Sequence, residues 1–77
     1  MKPVALFVSQ NCRWCEEAKV YFKQNKIKFN LVDVSKNKQA LKDCKKHGCK
    51  GMPVILIGNT WICGFDKKKI NKELGRK

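Results

Sequence analysis

The chain has 77 residues, 43% of them hydrophobic, enough for a globular core but not for a second one, so one domain over residues 1–77 is expected. Its longest apolar runs, Val4–Val8 and Pro53–Ile57, are too short to cross a bilayer, and the N-terminus lacks a secretory cleavage pattern; a cytoplasmic protein without membrane association is expected. The formal net charge of +12 suits anionic partners, yet all but two of the 18 basic residues are lysines scattered along the chain, which argues against specific nucleic-acid recognition.

Val4–Val8 is a continuous apolar run with β-branched and aromatic members, the pattern of a strand buried on both faces. Ser9-Gln10-Asn11 breaks it. From Cys12 to about Asn25 the apolar residues Cys15, Ala18, Tyr21 and Phe22 fall on one helical face, with Asn25 suited to end the helix in a left-handed conformation. Lys28–Val34 alternates as a second strand. Ser35 can cap a second helix running to about His47, with Ala40, Leu41 and Cys44 facing inward and Gly48 as its stop. Pro53–Ile57 reads as a third buried strand, Gly58-Asn59 as a hairpin turn and Thr60–Cys63 as the returning strand. Asp66 caps a last helix through Leu74, with Ile70 and Leu74 on one face. The order β-α-β-α-β-β-α predicts an α/β fold: a four-stranded mixed sheet flanked by three helices, with the first two strands parallel across a right-handed crossover.

Five cysteines, an odd number, exclude a fully paired disulfide framework and direct attention to redox or metal chemistry. Cys12-Arg13-Trp14-Cys15 lies where the first strand gives way to the first helix. Unpaired N–H groups and the helix dipole favour a thiolate there, and Arg13 adds a fixed positive charge, so a depressed Cys12 pKa is expected. Glu16 and Glu17 oppose that effect and Lys19 compensates. Cys15, one turn deeper, is placed to attack a mixed disulfide formed at Cys12. A bare C-x-x-C is equally half of a zinc site; its place at a strand-to-helix junction favours redox. Zinc or an iron–sulfur cluster on Cys12, Cys15 and the remaining thiols stays as the alternative reading.

Met52-Pro53 opens the third strand with a residue that cannot donate to a ladder, which marks a special backbone, a cis bond being the specific hypothesis. Such a bond would leave the Met52 backbone for pairing with an extended thiol substrate. Gly64-Phe65-Asp66 leads into the last helix, where Asp66 and neighbouring N–H groups suit the charged ends of an amino-acid-like ligand. Cys44, on the apolar helical face, reads as a small core residue, and His47 fits a helix C-terminus.

Cys-x-aromatic-Cys after the first strand, Met52-Pro53 before the third and Gly64-x-Asp66 after the fourth together resemble glutaredoxins over nearly the whole chain. They are also similar to the redoxins that serve ribonucleotide reductase. The resemblance implies a thioredoxin-like fold, a cis Pro53, Cys12 as nucleophile and Cys15 as resolving thiol. It further implies a monomer acting on disulfide-containing proteins, with no tightly bound cofactor and glutathione as co-substrate in a groove of Trp14, Met52, Pro53, Gly64, Phe65 and Asp66. Lys50 would partner a glutathione carboxylate. Cys49 and Cys63 would border that site, available for secondary disulfides or glutathionylation.

The chain departs from the glutaredoxin pattern at Ser9, where a basic residue is common, at Arg13, where proline is usual, and at Cys63-Gly64, where the family has a Gly-Gly pair. Trp61 and Gly64-Phe65 match the ribonucleotide-reductase redoxins, which implies thioredoxin reductase as an alternative electron source and ribonucleotide reductase as an alternative acceptor.

Overall fold

The computed structural model describes residues 2–75. Seven elements follow in chain order: β1 (Val4–Val8), α1 (Arg13–Gln24), β2 (Asn30–Asp33), α2 (Lys38–Lys46), β3 (Val54–Ile57), β4 (Thr60–Cys63) and α3 (Lys67–Glu73). The strands form one mixed sheet in the order β2-β1-β3-β4. β1 pairs with β2 in parallel, Leu6 opposite Leu31, and with β3 antiparallel, Leu6 opposite Ile55. β3 and β4 close the antiparallel hairpin, Ile55 opposite Ile62. This is the four-stranded mixed sheet expected of the element order, and the thioredoxin-like architecture that the resemblance implied.

Side-chain alternation divides the core in two. Leu6, Val8, Ile55, Ile57 and Ile62 face one way and pack with Cys15, Ala18, Phe22 and Ile70, so α1 and α3 share that layer. Phe7 and Val54 face the other way and pack with Val34, Ala40, Cys44 and Cys49 from α2 and its flanks, with Trp61 against them. The central strands are therefore apolar on both faces, as a covered sheet requires. Tyr21 Oη donates to Asn71 Oδ1 at 2.8 Å, which ties α1 to α3 across their polar rim.

Local polar chemistry sets the boundaries, and some differ from the sequence reading. Asn37, not Ser35, caps α2: its Oδ1 accepts from Ala40 N at 3.1 Å. Ser35 is taken by Asp33, whose Oδ1 accepts both the Ser35 backbone N–H and its hydroxyl. Those bonds hold the Asp33 carboxyl below its ordinary pKa, the Ser35 hydroxyl contributing most. After α1 the left-handed residue is Lys26 (φ 55°), while Asn25 keeps a negative φ and its amide donates to Tyr21 O at 2.8 Å. The second strand is four residues long rather than seven, and Pro53 stands just before β3 instead of within it. Asp66 caps α3 as expected, its Oδ1 accepting from Lys69 N.

The end of α2 is built around Gly48 at φ 82°. Gly48 N–H bonds to Lys45 O at 3.0 Å and Cys49 N–H to Cys44 O at 3.1 Å, the paired bonds of a Schellman motif. That turn delivers Cys49 back into the apolar layer beside Cys44.

Candidate active site

β1 ends at Val8 and α1 begins at Arg13, so Cys12 occupies the N-cap, in extended conformation. Its sulfur accepts the Cys15 backbone N–H at 3.1 Å, using one of the donors a helix start leaves unpaired. Cys12 and Cys15 are joined in a disulfide with their Cα atoms 5.2 Å apart. Cys12 is half-buried, whereas Cys15 is only 1% exposed, so a reagent arriving from solvent meets Cys12 first.

Across from this pair the Met52–Pro53 peptide is cis, as hypothesised, and the Met52 carbonyl oxygen lies 3.7 Å from Cys12 Sγ. Pro53 O accepts Gly64 N–H at 2.9 Å, which joins the approach to β3 with the exit from β4. Trp14, Met52, Pro53, Gly64 and Phe65 line one open groove of about 220 Å³. Trp14 is 62% exposed at its rim. Phe65 is fixed edge-on to Tyr21, ring centroids 5.5 Å apart, with Lys67 Nζ above both rings.

Three other predicted site residues lie outside that groove. Asp66 is occupied as the α3 cap. Lys50 lines a separate groove with Ser9, Leu41 and Gly51, which meets the first at Met52. Arg13 lines a separate open depression with Cys12, Glu16, Lys19 and Asp33. There Lys19 Nζ pairs with Glu16 Oε1 at 2.8 Å, offsetting the acidic charge in the first turn of α1.

Cys49 and Cys63 form a second disulfide, Cα atoms 5.1 Å apart. The sequence by itself leaves both open and does not pair them. The signal was alternation: Trp61 and Cys63 share one face of β4 and Ile62 takes the other, so Cys63 sits on the α2 side, where the Schellman turn places Cys49. Trp61 is stacked between Phe7 (5.5 Å) and His47 (4.2 Å) on that same side. Cys44 is a buried free thiol, and burial, followed by the Asp43 charge, pushes its pKa above the ordinary value. Among the described residues no group of three or more His, Cys, Asp or Glu side chains is arranged to hold a metal ion, and no helix is long and apolar enough to cross a membrane.

Comparison with known proteins gives the same outline. The glutaredoxin family model matches residues 4–62. An uncharacterized glutaredoxin-like 8.6 kDa protein in the rubredoxin operon of Clostridium pasteurianum is 32% identical over 72 residues, covering 90% of this chain and 93% of that protein. The structure of the glutaredoxin-like NrdH-redoxin from Escherichia coli superimposes with a TM-score of 0.84 at 20% identity, covering 91% of this chain and 92% of the other. A buckwheat glutaredoxin in complex with glutathione superimposes at 0.75, also at 20% identity, over 97% of this chain and 72% of that one. At such identities the two structures speak for the fold alone.

Proposed function

This chain belongs to the glutaredoxin family, a thioredoxin-fold redox protein with a C-x-x-C pair, and from that premise we propose that it reduces glutathione mixed disulfides and protein disulfides, with Cys12 as nucleophile and Cys15 as resolving thiol. The observation that carries the reading is the asymmetry of the pair: Cys12 is half-buried at a helix N-cap and receives the Cys15 N–H, whereas Cys15 is buried one turn behind it. In the reduced protein the same N–H and the helix dipole favour the Cys12 thiolate, so no separate base is needed.

The Cys12 thiolate attacks one sulfur of the substrate disulfide. A bond forms between Cys12 and that sulfur, and the other sulfur departs as a thiolate. Cys15 then attacks Cys12 Sγ, forming the Cys12–Cys15 disulfide and releasing the bound half of the substrate as a thiolate. Where that half is glutathione, a free glutathione thiolate can instead attack the glutathione sulfur, releasing oxidised glutathione and the Cys12 thiolate. The groove of Trp14, Met52, Pro53, Gly64 and Phe65 opens beside the attacked sulfur and suits the peptide portion of the substrate, with the Met52 backbone running alongside it. Lys50 approaches from the adjoining groove, where its charge favours a glutathione carboxylate.

A second reading, reduction by thioredoxin reductase and electron donation to ribonucleotide reductase, draws support from the lining itself: none of the five groove residues is a cation. Turnover of a glutathione mixed disulfide, measured side by side with glutathione plus glutathione reductase and with NADPH plus thioredoxin reductase, separates the two. Faster turnover with glutathione is expected; turnover only with thioredoxin reductase selects the second reading, and turnover with neither removes both.

A further inference from the structure

The Cys49–Cys63 disulfide has no part in the reaction above, yet it is attached to the groove in which that reaction takes place. Cys49 precedes Met52 by three residues, and Cys63 precedes Gly64 directly. Met52, Pro53 and Gly64 are groove-lining residues. The disulfide therefore closes a ring through the approach to β3 and the end of β4, and the Gly64 N–H to Pro53 O bond ties the residue just past that ring back to it at 2.9 Å. Between Cys49 and Met52, exposed Lys50 and Gly51 contribute no burial, and a Cβ on Gly51 would meet nothing within 4 Å. The covalent bond and the Cys49 N–H to Cys44 O bond are what anchor the start of this short segment.

We propose that Cys49–Cys63 is a second redox couple, opened by small thiols through Cys63, whose closed state holds the groove in shape for its substrate. The two sulfurs are unequal. Cys63 is exposed, whereas Cys49 is 2% exposed among Phe7, Val34, Ala40, Cys44 and Val54. A thiolate such as that of glutathione attacks Cys63 Sγ; the new sulfur–sulfur bond forms there, the Cys49–Cys63 bond breaks, and Cys49 leaves with the electron pair and takes a proton. A second thiolate then attacks the glutathione sulfur of the mixed disulfide and releases oxidised glutathione and the Cys63 thiolate. Two thiols are oxidised and one disulfide is reduced.

The apolar site of Cys49 makes it a slow leaving group, because its departing sulfur is buried among apolar side chains that cannot solvate a charge. Once protonated it packs there as a small hydrophobe, so the open form keeps its core. Such a couple responds to the ambient thiol pool over a longer time than the catalytic cycle takes.

The effect on the groove rests on the oxidoreductase reading; the exchange does not, and the experiment separates them. In a Cys12→Ser/Cys15→Ser variant equilibrated in graded glutathione buffers, alkylation and intact-mass analysis should show two thiols appearing together and reversibly in native protein. In the same background carrying Cys49→Ala, oxidised glutathione should add once, at Cys63. Release of the thiols only after denaturant is added, or an adduct at Cys44 instead, overturns the couple. With Cys12 and Cys15 intact, Cys49→Ala/Cys63→Ala should raise KM for a mixed disulfide by about fivefold with kcat little changed, the consequence of freeing a few backbone dihedrals. An unchanged KM overturns the role in the groove and leaves the exchange measurement standing on its own.

Discussion

Cys12–Cys15 and Cys49–Cys63 use the same bond at opposite ends of two helices. Cys12 caps the N-terminus of α1, where N–H groups point outward and the dipole is positive, and the sulfur that meets solvent is the one those groups stabilise as a thiolate. Cys49 lies just past the C-terminus of α2, within the turn made by Gly48, and its sulfur is buried in an apolar layer that penalises the charged form. The first pair spans 3 residues of sequence and joins cysteines on adjacent turns; the second spans 14 and joins separate segments. Two chemically identical bonds therefore differ in setting: on the readings proposed above, one exchanges rapidly at its N-cap sulfur, and the other opens slowly and restrains the groove while it is closed.

The largest test of that contrast is catalytic. Cys12→Ser should lower reductase activity by at least about 10³-fold, since nothing replaces the nucleophile. Cys15→Ser should block reduction of protein disulfides while leaving part of the activity on glutathione mixed disulfides, where glutathione can resolve the intermediate. Steady-state assays on both substrates check this, and a Cys12→Ser protein with full activity would break the comparison outright.

For stability the ranking should reverse. In the chain-entropy account, opening a loop of about 15 residues loses about 3 kcal/mol, against about 2 kcal/mol for one of about four. Urea unfolding of oxidised Cys49→Ala/Cys63→Ala and Cys12→Ala/Cys15→Ala variants should therefore show the greater loss in the former. Equal losses would mean that the second disulfide restrains the unfolded chain no more than the first.

A smaller, kinetic effect concerns the reduced thiols. Alkylation as a function of pH, followed by peptide mass analysis, should label Cys12 first and Cys44 last, because the helix N-terminus favours one thiolate while burial and the Asp43 charge oppose the other. The smallest effect lies far from both pairs. Glu73 accepts from Lys2 Nζ and Thr60 Oγ1, both at 3.2 Å, and the Lys2 contact does most to hold its carboxyl below the ordinary 4.5. A depressed folded-state pKa stabilises above the unfolded value, so this contribution is present at neutral pH and fades as pH falls from 4.5 through the folded value. The wild-type advantage in Tm over Glu73→Gln should shrink across that acid range and serve as a control insensitive to either disulfide.

The misreadings in the sequence share one cause. Ser35 and Asn37 are both good caps, and the choice went to Asn37 because Asp33 had already taken Ser35 into a turn; that competition depends on where β2 stops. Asn25 carries the residue type of a left-handed helix end, but its amide found the Tyr21 carbonyl and Lys26 took the positive φ. Each outcome was settled between groups of similar strength by the path of the chain. Asp66 as the α3 cap was legible because the short last helix offered no rival.

From its residues alone this chain declared its element order, the C-x-x-C pair at a helix start and the unusual Met52-Pro53 junction, because periodicity, capping and the missing N–H of proline are local properties. Which segments meet was decided in three dimensions. The sheet order brings the Met52 carbonyl to Cys12 and joins Pro53 to Gly64, and it places Lys50 in an adjoining groove rather than in the one it was expected to serve. The partner of Cys49 was undecidable from five cysteines, since spacing does not determine connectivity. It became Cys63 because strand alternation and the turn after α2 put both sulfurs on the same side of the sheet, a coincidence that only packing can produce.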